Sequence, residues 1–131
     1  RTIEDTCRRL VEFQGLGKFM EYEIATDLRH TVVLRDAPDI MTWASPGPGC
    51  ARGLGWVIYD DNEMLGYGKA EARQEMLEGM RTLLRESQNP KLWPWPERPW
   101  EMREVEHTLC EFDKMKRVAE GGRSKRRFAG T

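Results

Sequence analysis

The four residues Pro46-Gly47-Pro48-Gly49 constrain the fold of this chain more than any other stretch. Glycine permits backbone angles and close approaches that other residues do not, and proline fixes its own φ. The segment therefore predicts a tight hairpin between two elements. Apolar residues flank it on both sides, at Ile40, Met41, Trp43, Leu54, Trp56 and Val57. This pattern predicts a helix before the hairpin and a second helix after it.

The start of the second helix has the properties of an anion site. The first N–H groups of a helix have no partner within it, and those of Gly49, Cys50 and Ala51 would face whatever lies in front. Two helices joined by a Pro-Gly-x-Gly hairpin are typical of helix-hairpin-helix modules, which hold the phosphate backbone of DNA. We therefore predict DNA contacts at Gly47, Gly49, Cys50, Ala51 and Arg52. The alternative is a plain turn between two helices.

The whole chain is predicted to be almost entirely helical, which gives an all-α fold class. Hydrophobic spacing predicts helices at residues 3–13, 18–29, 38–44, 50–59, 69–87 and 99–119. The β-branched residues 31–34 could form a short strand. The Pro- and Trp-rich residues 92–100 predict an extended strap anchored by indoles. We expect a helical domain over residues 1–120 and a basic, flexible tail over residues 121–131.

Charge is distributed unevenly along the chain. Residues 114–131 contain seven basic residues and one acidic residue, whereas residues 1–113 carry a net negative charge. A basic tail on an acidic body is typical of a protein with a polyanionic partner. We therefore predict further DNA contacts at Arg123, Lys125, Arg126 and Arg127. The alternative is a solvated tail that only aids solubility.

Composition and cysteine use exclude several classes of protein. The 131 residues are enough for one domain with its own core, and no apolar run approaches the ~20 residues of a membrane span. Cys7, Cys50 and Cys110 are too far apart for a C-x-x-C metal motif or a disulfide framework. We expect no signal peptide. We predict reduced thiols, a cytoplasmic location, no membrane association, and neither a metal nor a cofactor.

Two predicted helices carry residues that suit acid–base chemistry. Asp27 and Arg29 lie on or just after the second helix, and Glu23 shares the face of Asp27. On the last helix, Glu104, His107 and Glu111 share one face at spacing i, i+3, i+7, so an imidazole lies between carboxylates as in a general base with orienting partners. The alternative is that both groups are solvated surface charges. The Glu-x-x-His spacing lacks the second copy that a di-iron site needs.

Three segments resemble a known family. They are residues 15–29 (Gly-Leu-Gly-Lys-Phe-Met-x-Tyr-Glu-Ile-x-x-Asp-Leu-Arg), 43–54 (Trp-Ala-x-Pro-Gly-Pro-Gly-x-Ala-Arg-Gly-Leu) and 103–114 (Arg-Glu-Val-Glu-His-x-Leu-Cys-Glu-Phe-Asp-Lys). These are similar to the DNA-glycosylase-like proteins of phage thymine hypermodification, the amino acid:DNA transferases, also called alpha-glutamyl/putrescinyl thymine pyrophosphorylases. The helical domain of 5-hydroxymethyluracil DNA kinases belongs to the same group. The resemblance covers most of residues 13–128.

The resemblance implies a transfer reaction on double-stranded DNA that carries a modified thymine. A small amine or amino acid would replace the pyrophosphate of a pyrophosphorylated 5-hydroxymethyluracil that has left the base stack. Arg29 and Arg52 would meet the leaving pyrophosphate, while Glu104, His107 or Asp27 would take the proton of the amine. The hairpin amides would hold the backbone beside the flipped nucleotide.

Other functions remain open at this stage. The chain is short for a full transferase, so it could be the non-catalytic, DNA-binding helical domain of a kinase or another nucleic-acid-modifying enzyme. It contains no G-x-x-x-x-G-K-[ST] motif, so it is not that kinase by itself. A base-excision enzyme ranks lowest, because Asp60 and Asp61 lie too close to the hairpin. Ala51 also stands where lyase-type glycosylases carry a lysine, which excludes Schiff-base chemistry there.

Overall fold

The computed structural model of this protein describes residues 1–61 and 68–122. Within those residues the chain forms five helices and no strand, so the predicted all-α fold class is confirmed at this level. The helices are α1 (Ile3–Leu10), α2 (Lys18–Leu28), α3 (Pro48–Tyr59), α4 (Ala70–Ser87) and α5 (Met102–Ala119). No helix among the described residues is long and apolar enough to cross a membrane.

The core lies where α3 packs against α5, with α4 beside both helices and α1 against α2. Its largest fully buried side chains include Leu54 of α3, Met76 and Met80 of α4, and Val105 of α5. These residues recur at helical spacing, so each helix turns one apolar face inward. The α3–α5 contact is very close at Gly53, where an added Cβ would lie 2.2 Å from the Leu109 carbonyl oxygen.

Side-chain caps fix where two of the helices begin. The Thr2 hydroxyl accepts the Asp5 N–H at 2.9 Å, and the Asp39 carboxylate accepts the N–H groups of Ile3 and Glu4 at 2.8 and 3.0 Å. At the start of α5 the Glu104 carboxylate accepts the Glu101 N–H at 2.7 Å. These bonds satisfy helix N–H groups that have no partner within the helix.

Two predicted elements are wrong. Residues 31–34 form turns rather than a strand, since the Arg35 N–H bonds to the Thr31 carbonyl and the Val33 N–H bonds to the Thr31 hydroxyl. Residues 38–44 contain a single turn, in which the Thr42 and Trp43 N–H groups reach the Asp39 carbonyl. A longer helix does not form here, because the Met102 N–H at the start of α5 donates to the Ile40 carbonyl, which a helix would need as an acceptor.

The Trp-rich segment is folded on itself rather than extended as predicted. The Trp93 N–H bonds to the Asn89 carbonyl, and the Trp93 indole donates to the Arg98 carbonyl at 2.7 Å. Trp93 also meets Trp95 and Trp100 edge to face, with ring centroids 4.7 and 5.6 Å apart. Aromatic attraction within the segment therefore replaces the predicted strap.

Candidate functional site

Residues 46–49, which we call the hairpin, lead into α3 and lie against α5. No helix directly precedes them in the described residues, so the predicted helix-hairpin-helix, glycosylase-like fold is not confirmed. Gly47 caps the helix in an extended conformation, Pro48 is its first residue, and the Ala51 N–H bonds back to the Gly47 carbonyl at 3.0 Å. A Cβ at Gly47 would lie 4.0 Å from Glu106 Oε1 of α5. A Cβ at Gly49 would lie 3.4 Å from Cys110 Sγ. Small residues therefore let the hairpin approach α5 closely.

A cavity of about 330 Å³ opens beside the hairpin. The start of α2, the hairpin, the start of α4 and one residue of α5 surround it. Its lining residues are Lys18, Phe19, Tyr22, Glu23, Ser45, Pro46, Gly47, Pro48, Gly68, Lys69, Ala70, Arg73, Met76 and Glu106. The walls thus combine aromatic and proline rings with three cations and two carboxyl groups.

Three cations line the cavity without an ion-pair partner among the described residues. Lys18 and Lys69 are exposed, and the Arg73 guanidinium donates to the Ser45 hydroxyl at 3.2 Å. None of the three lies within 4.0 Å of a carboxylate oxygen in residues 1–61 and 68–122. Burial raises the pKa of Glu21, whereas the positive charges of Arg73 and Lys18 act to lower it. This rim therefore has positive charge available for an anion.

An imidazole and two carboxyl groups meet at the α5 side of the cavity. His107 Nε2 lies 3.2 Å from Glu23 Oε1 and 3.6 Å from Glu106 Oε2. Burial raises the pKa of Glu106, while the Cys110 thiol, His107 and the Gly47 N–H act in the opposite direction. His107 is not among the residues that line the cavity, but it contacts two residues that do. The cluster can accept a proton or bind a hydroxyl or amine donor.

The cysteines are not candidate nucleophiles. The Cys110 thiol donates to Glu106 Oε1 at 3.3 Å, and burial together with that carboxylate raises its pKa far above the ordinary value. Burial also raises the pKa of Cys7 to about 12 and that of Cys50 well above its usual range. A thiol that stays protonated does not attack carbon or phosphorus efficiently.

The predicted catalytic residues do not form one group. The Arg29 guanidinium forms a two-pronged ion pair with Glu101, at 2.7 and 3.1 Å, that joins the end of α2 to the start of α5. Glu104 caps α5, and Asp27 is exposed on α2. Only His107 lies beside the cavity. Its carboxylate neighbours are Glu23 and Glu106, rather than Glu104 and Glu111 as predicted.

The predicted DNA-binding residues also fall into separate places. Gly47 lines the cavity, whereas the side chains of Cys50 and Ala51 are buried in the core. Arg52 Nε lies 3.0 Å from Asp113 Oδ2, so this guanidinium bridges α3 and α5. The predicted contacts in the tail, from Arg123 to Arg127, lie outside the described residues.

Sequence reasoning missed most of the cavity. Lys18, Lys69, Arg73 and Glu106 were not predicted as site residues, although Lys18 lies within a segment that carried the family resemblance. Glu106 adjoins His107 in sequence, which was its one local signal. No group of three or more His, Cys, Asp or Glu side chains in the described ranges is arranged to hold a metal ion.

The described residues thus form a helical domain with a cavity of about 330 Å³, lined by three cations, at a glycine-rich segment. The chain belongs to the family described as the 5-hmdU DNA kinase helical domain, which matches residues 1–124. Here 5-hmdU denotes 5-hydroxymethyldeoxyuridine. The match supports the predicted relation to thymine hypermodification but does not identify the transferase. Comparison with curated proteins and with solved structures found no match.

Proposed function

We propose that this chain is a DNA-binding helical domain that holds 5-hmdU in DNA for modification. In this proposal the cavity at the hairpin accepts the modified nucleotide after it has left the base stack. The observation that carries the proposal is the cavity itself, which three cations line with no ion-pair partner among the described residues. The family match supplies the expected nucleic acid and the expected base.

The three cations suit the phosphates that flank an extruded nucleotide. Contacts from Lys and Arg to phosphate supply most sequence-independent affinity for DNA, because each contact releases counterions. Lys18 and Lys69 are exposed and can reach a strand that lies across the opening, while Ser45 orients the Arg73 guanidinium. The free N–H groups at the start of α3 would add donors of the kind that helix-hairpin-helix modules offer. The tail cations at 123–127 remain predicted contacts.

The walls and volume of the cavity suit a pyrimidine nucleotide. Its volume of about 330 Å³ lies at the lower end of the range for small-ligand sites. Phe19 lines the cavity and is 73% exposed, so it offers a ring on which a base can stack. Tyr22 forms a buried wall and meets Trp43 and His107 edge to face. Enzymes that modify a base need it outside the duplex, and this cavity offers it a place.

The test removes two cations at once. We expect the Lys18→Gln/Lys69→Gln double variant to bind a 5-hmdU duplex more weakly, because two phosphate contacts are lost. The slope of log K against log salt should become shallower by about 2. Fluorescence anisotropy of a labelled duplex between 50 and 200 mM salt, roughly the range over which such contacts dominate, measures both quantities.

The matched control is the Lys91→Gln/Arg98→Gln double variant, which removes the same charge from exposed residues that do not line the cavity. Its salt slope should match that of the unaltered protein. Equal slopes for both double variants would place the DNA elsewhere and contradict the proposal.

A second candidate function is the amine transfer itself, and the His107 cluster favours it. His107 Nε2 between Glu23 and Glu106 can take the proton of an incoming amine. The amine nitrogen would bond to the 5-methylene carbon as the bond from that carbon to the pyrophosphate oxygen breaks. Lys18, Lys69 and Arg73 would stabilise the leaving pyrophosphate.

One assay separates the two functions. The chain is incubated with a duplex that carries pyrophosphorylated 5-hmdU and with an amine, and the nucleosides are analysed by mass spectrometry. An adduct that His107→Ala abolishes and Arg98→Ala preserves would support the transferase. Bound DNA without an adduct would leave the binding domain as the function.

A further inference from the structure

We propose that Glu106 reads the 5-hydroxymethyl group and thereby distinguishes 5-hmdU from thymidine. This inference rests on the proposed function, because it assumes that the modified nucleotide occupies the cavity. It assigns a specificity role to a residue of α5 that lines the cavity and is only 6% exposed.

Glu106 is held in place by groups from two elements. The Cys110 thiol donates to Oε1 at 3.3 Å, and a Cβ at Gly47 would lie 4.0 Å from the same oxygen. The other oxygen, Oε2, lies 3.6 Å from His107 Nε2, which is too long for a strong hydrogen bond. A carboxylate offers about four acceptor positions, so acceptor capacity remains on the cavity side. The carboxyl group is therefore largely buried, and the described residues do not occupy all of its acceptor positions.

The 5-hydroxymethyl group is the complement of such an acceptor. It carries one O–H donor at the position where thymine carries an apolar methyl group. The ionised carboxylate only accepts hydrogen bonds, whereas the protonated carboxyl group can also donate, so the affinities below are compared at mildly alkaline pH to favour the carboxylate. With thymine in the cavity, the methyl group would cover the buried oxygen and leave it unpaired, which is the arrangement that rejects an analogue most strongly.

Glu23 is the natural comparison within the same cavity. Its side chain is 38% exposed, so water can replace a lost hydrogen bond there at little cost. Glu23 also has His107 Nε2 at 3.2 Å as its partner. Because the two carboxyl groups share the cavity but differ in burial, Glu106 is the one expected to discriminate.

The experiment measures dissociation constants for three duplexes that differ at one base: thymidine, 5-hmdU and 5-formyldeoxyuridine. The formyl group has nearly the size of hydroxymethyl but only accepts hydrogen bonds. We expect the unaltered protein to bind the 5-hmdU duplex about 30-fold more tightly than either of the others, as for a hydrogen bond to a charged group. Glu106→Gln should reduce this ratio several-fold, and Glu106→Met should abolish it. Glu111→Gln, which alters an exposed acid of the same helix that does not line the cavity, should keep it within about threefold.

Several results would overturn the inference. Equal affinity of the unaltered protein for the three duplexes would do so while leaving the DNA-binding function intact, whereas failure to bind any duplex would reject both. A ratio that survives in both Glu106 variants, or that Glu111→Gln abolishes equally, would also overturn it. Circular dichroism confirms that each variant is folded. If the Glu106 variants unfold, the affinities of the unaltered protein for the 5-hmdU and 5-formyldeoxyuridine duplexes still test the inference. Equal affinities for these two duplexes would overturn it.

Discussion

Gly53→Ala should lower the free energy of unfolding by about 3 kcal/mol, because it adds atoms where two helix backbones touch. A Cβ at this position would lie 2.2 Å from the Leu109 carbonyl oxygen and 2.8 Å from the Leu109 carbonyl carbon. Both atoms belong to the backbone of α5, so no side-chain rotation can relieve the overlap. The α3 and α5 helices would have to move apart across the most extensive contact in the fold. The higher helix propensity of alanine, about 1 kcal/mol, offsets only part of the cost.

Urea unfolding followed by circular dichroism measures this effect. Gly79→Ala is the matched control, since Gly79 also lies within a helix and faces side chains of α3. Its Cβ would meet only the ends of two flexible side chains, Leu54 Cδ2 at 3.3 Å and Ile58 Cδ1 at 3.6 Å. Its stability should change by less than about 1 kcal/mol. Equal stability of Gly53→Ala and the unaltered protein would contradict the close α3–α5 contact.

Asp113→Asn should destabilise the protein by about 3 kcal/mol, the low end for a broken buried ion pair. The Asp113 side chain is fully buried, and its Oδ2 lies 3.0 Å from Arg52 Nε and 3.1 Å from Arg117 Nε. Its Oδ1 lies 3.4 Å from the Trp56 indole nitrogen. Loss of the negative charge leaves two guanidinium groups close together. Because both arginines are partly exposed, water offsets some of the cost.

Glu111→Gln is the control for Asp113→Asn, because it neutralises an acid on the same helix. Glu111 lies 2.7 Å from Lys114, but its side chain is 68% exposed. Its loss should change the free energy of unfolding by less than about 0.5 kcal/mol. Chemical denaturation of the two variants under the same conditions provides the comparison. Equal effects would mean that the Asp113 cluster does not join α3 to α5.

The regular helices were predictable, whereas the connections between them were not. The apolar faces of α4 and α5 repeat over five turns, so their sequences indicate helices that pack on one side. Residues 31–34 have the composition of a strand, but no partner strand exists in the described residues to pair with them. The helix predicted at 38–44 fails because Asp39 caps α1 and Ile40 bonds to α5, contacts that only the tertiary structure creates.

The sequence indicates residues 46–49 as a candidate site, whereas the groups that surround them in space could not be predicted. The three cations come from the starts of α2 and α4, and no spacing rule brings such distant positions together. His107 was recognised, but its nearest carboxylate belongs to Glu23, 84 residues away in sequence. Glu104 and Arg29 have the residue types of catalytic groups, yet a helix cap and an ion pair use the same types. Local sequence cannot distinguish these roles.

The central claim is that 5-hmdU DNA lies over the hairpin cavity, and hydrogen–deuterium exchange with saturating duplex tests it most directly. We predict slower exchange in peptides that cover residues 17–23, 45–51 and 68–73, the segments that surround the cavity. Peptides from the Trp-rich segment, residues 89–100, should exchange at the same rate with and without DNA. Protection confined to the Trp-rich segment, with none around the cavity, would contradict the account.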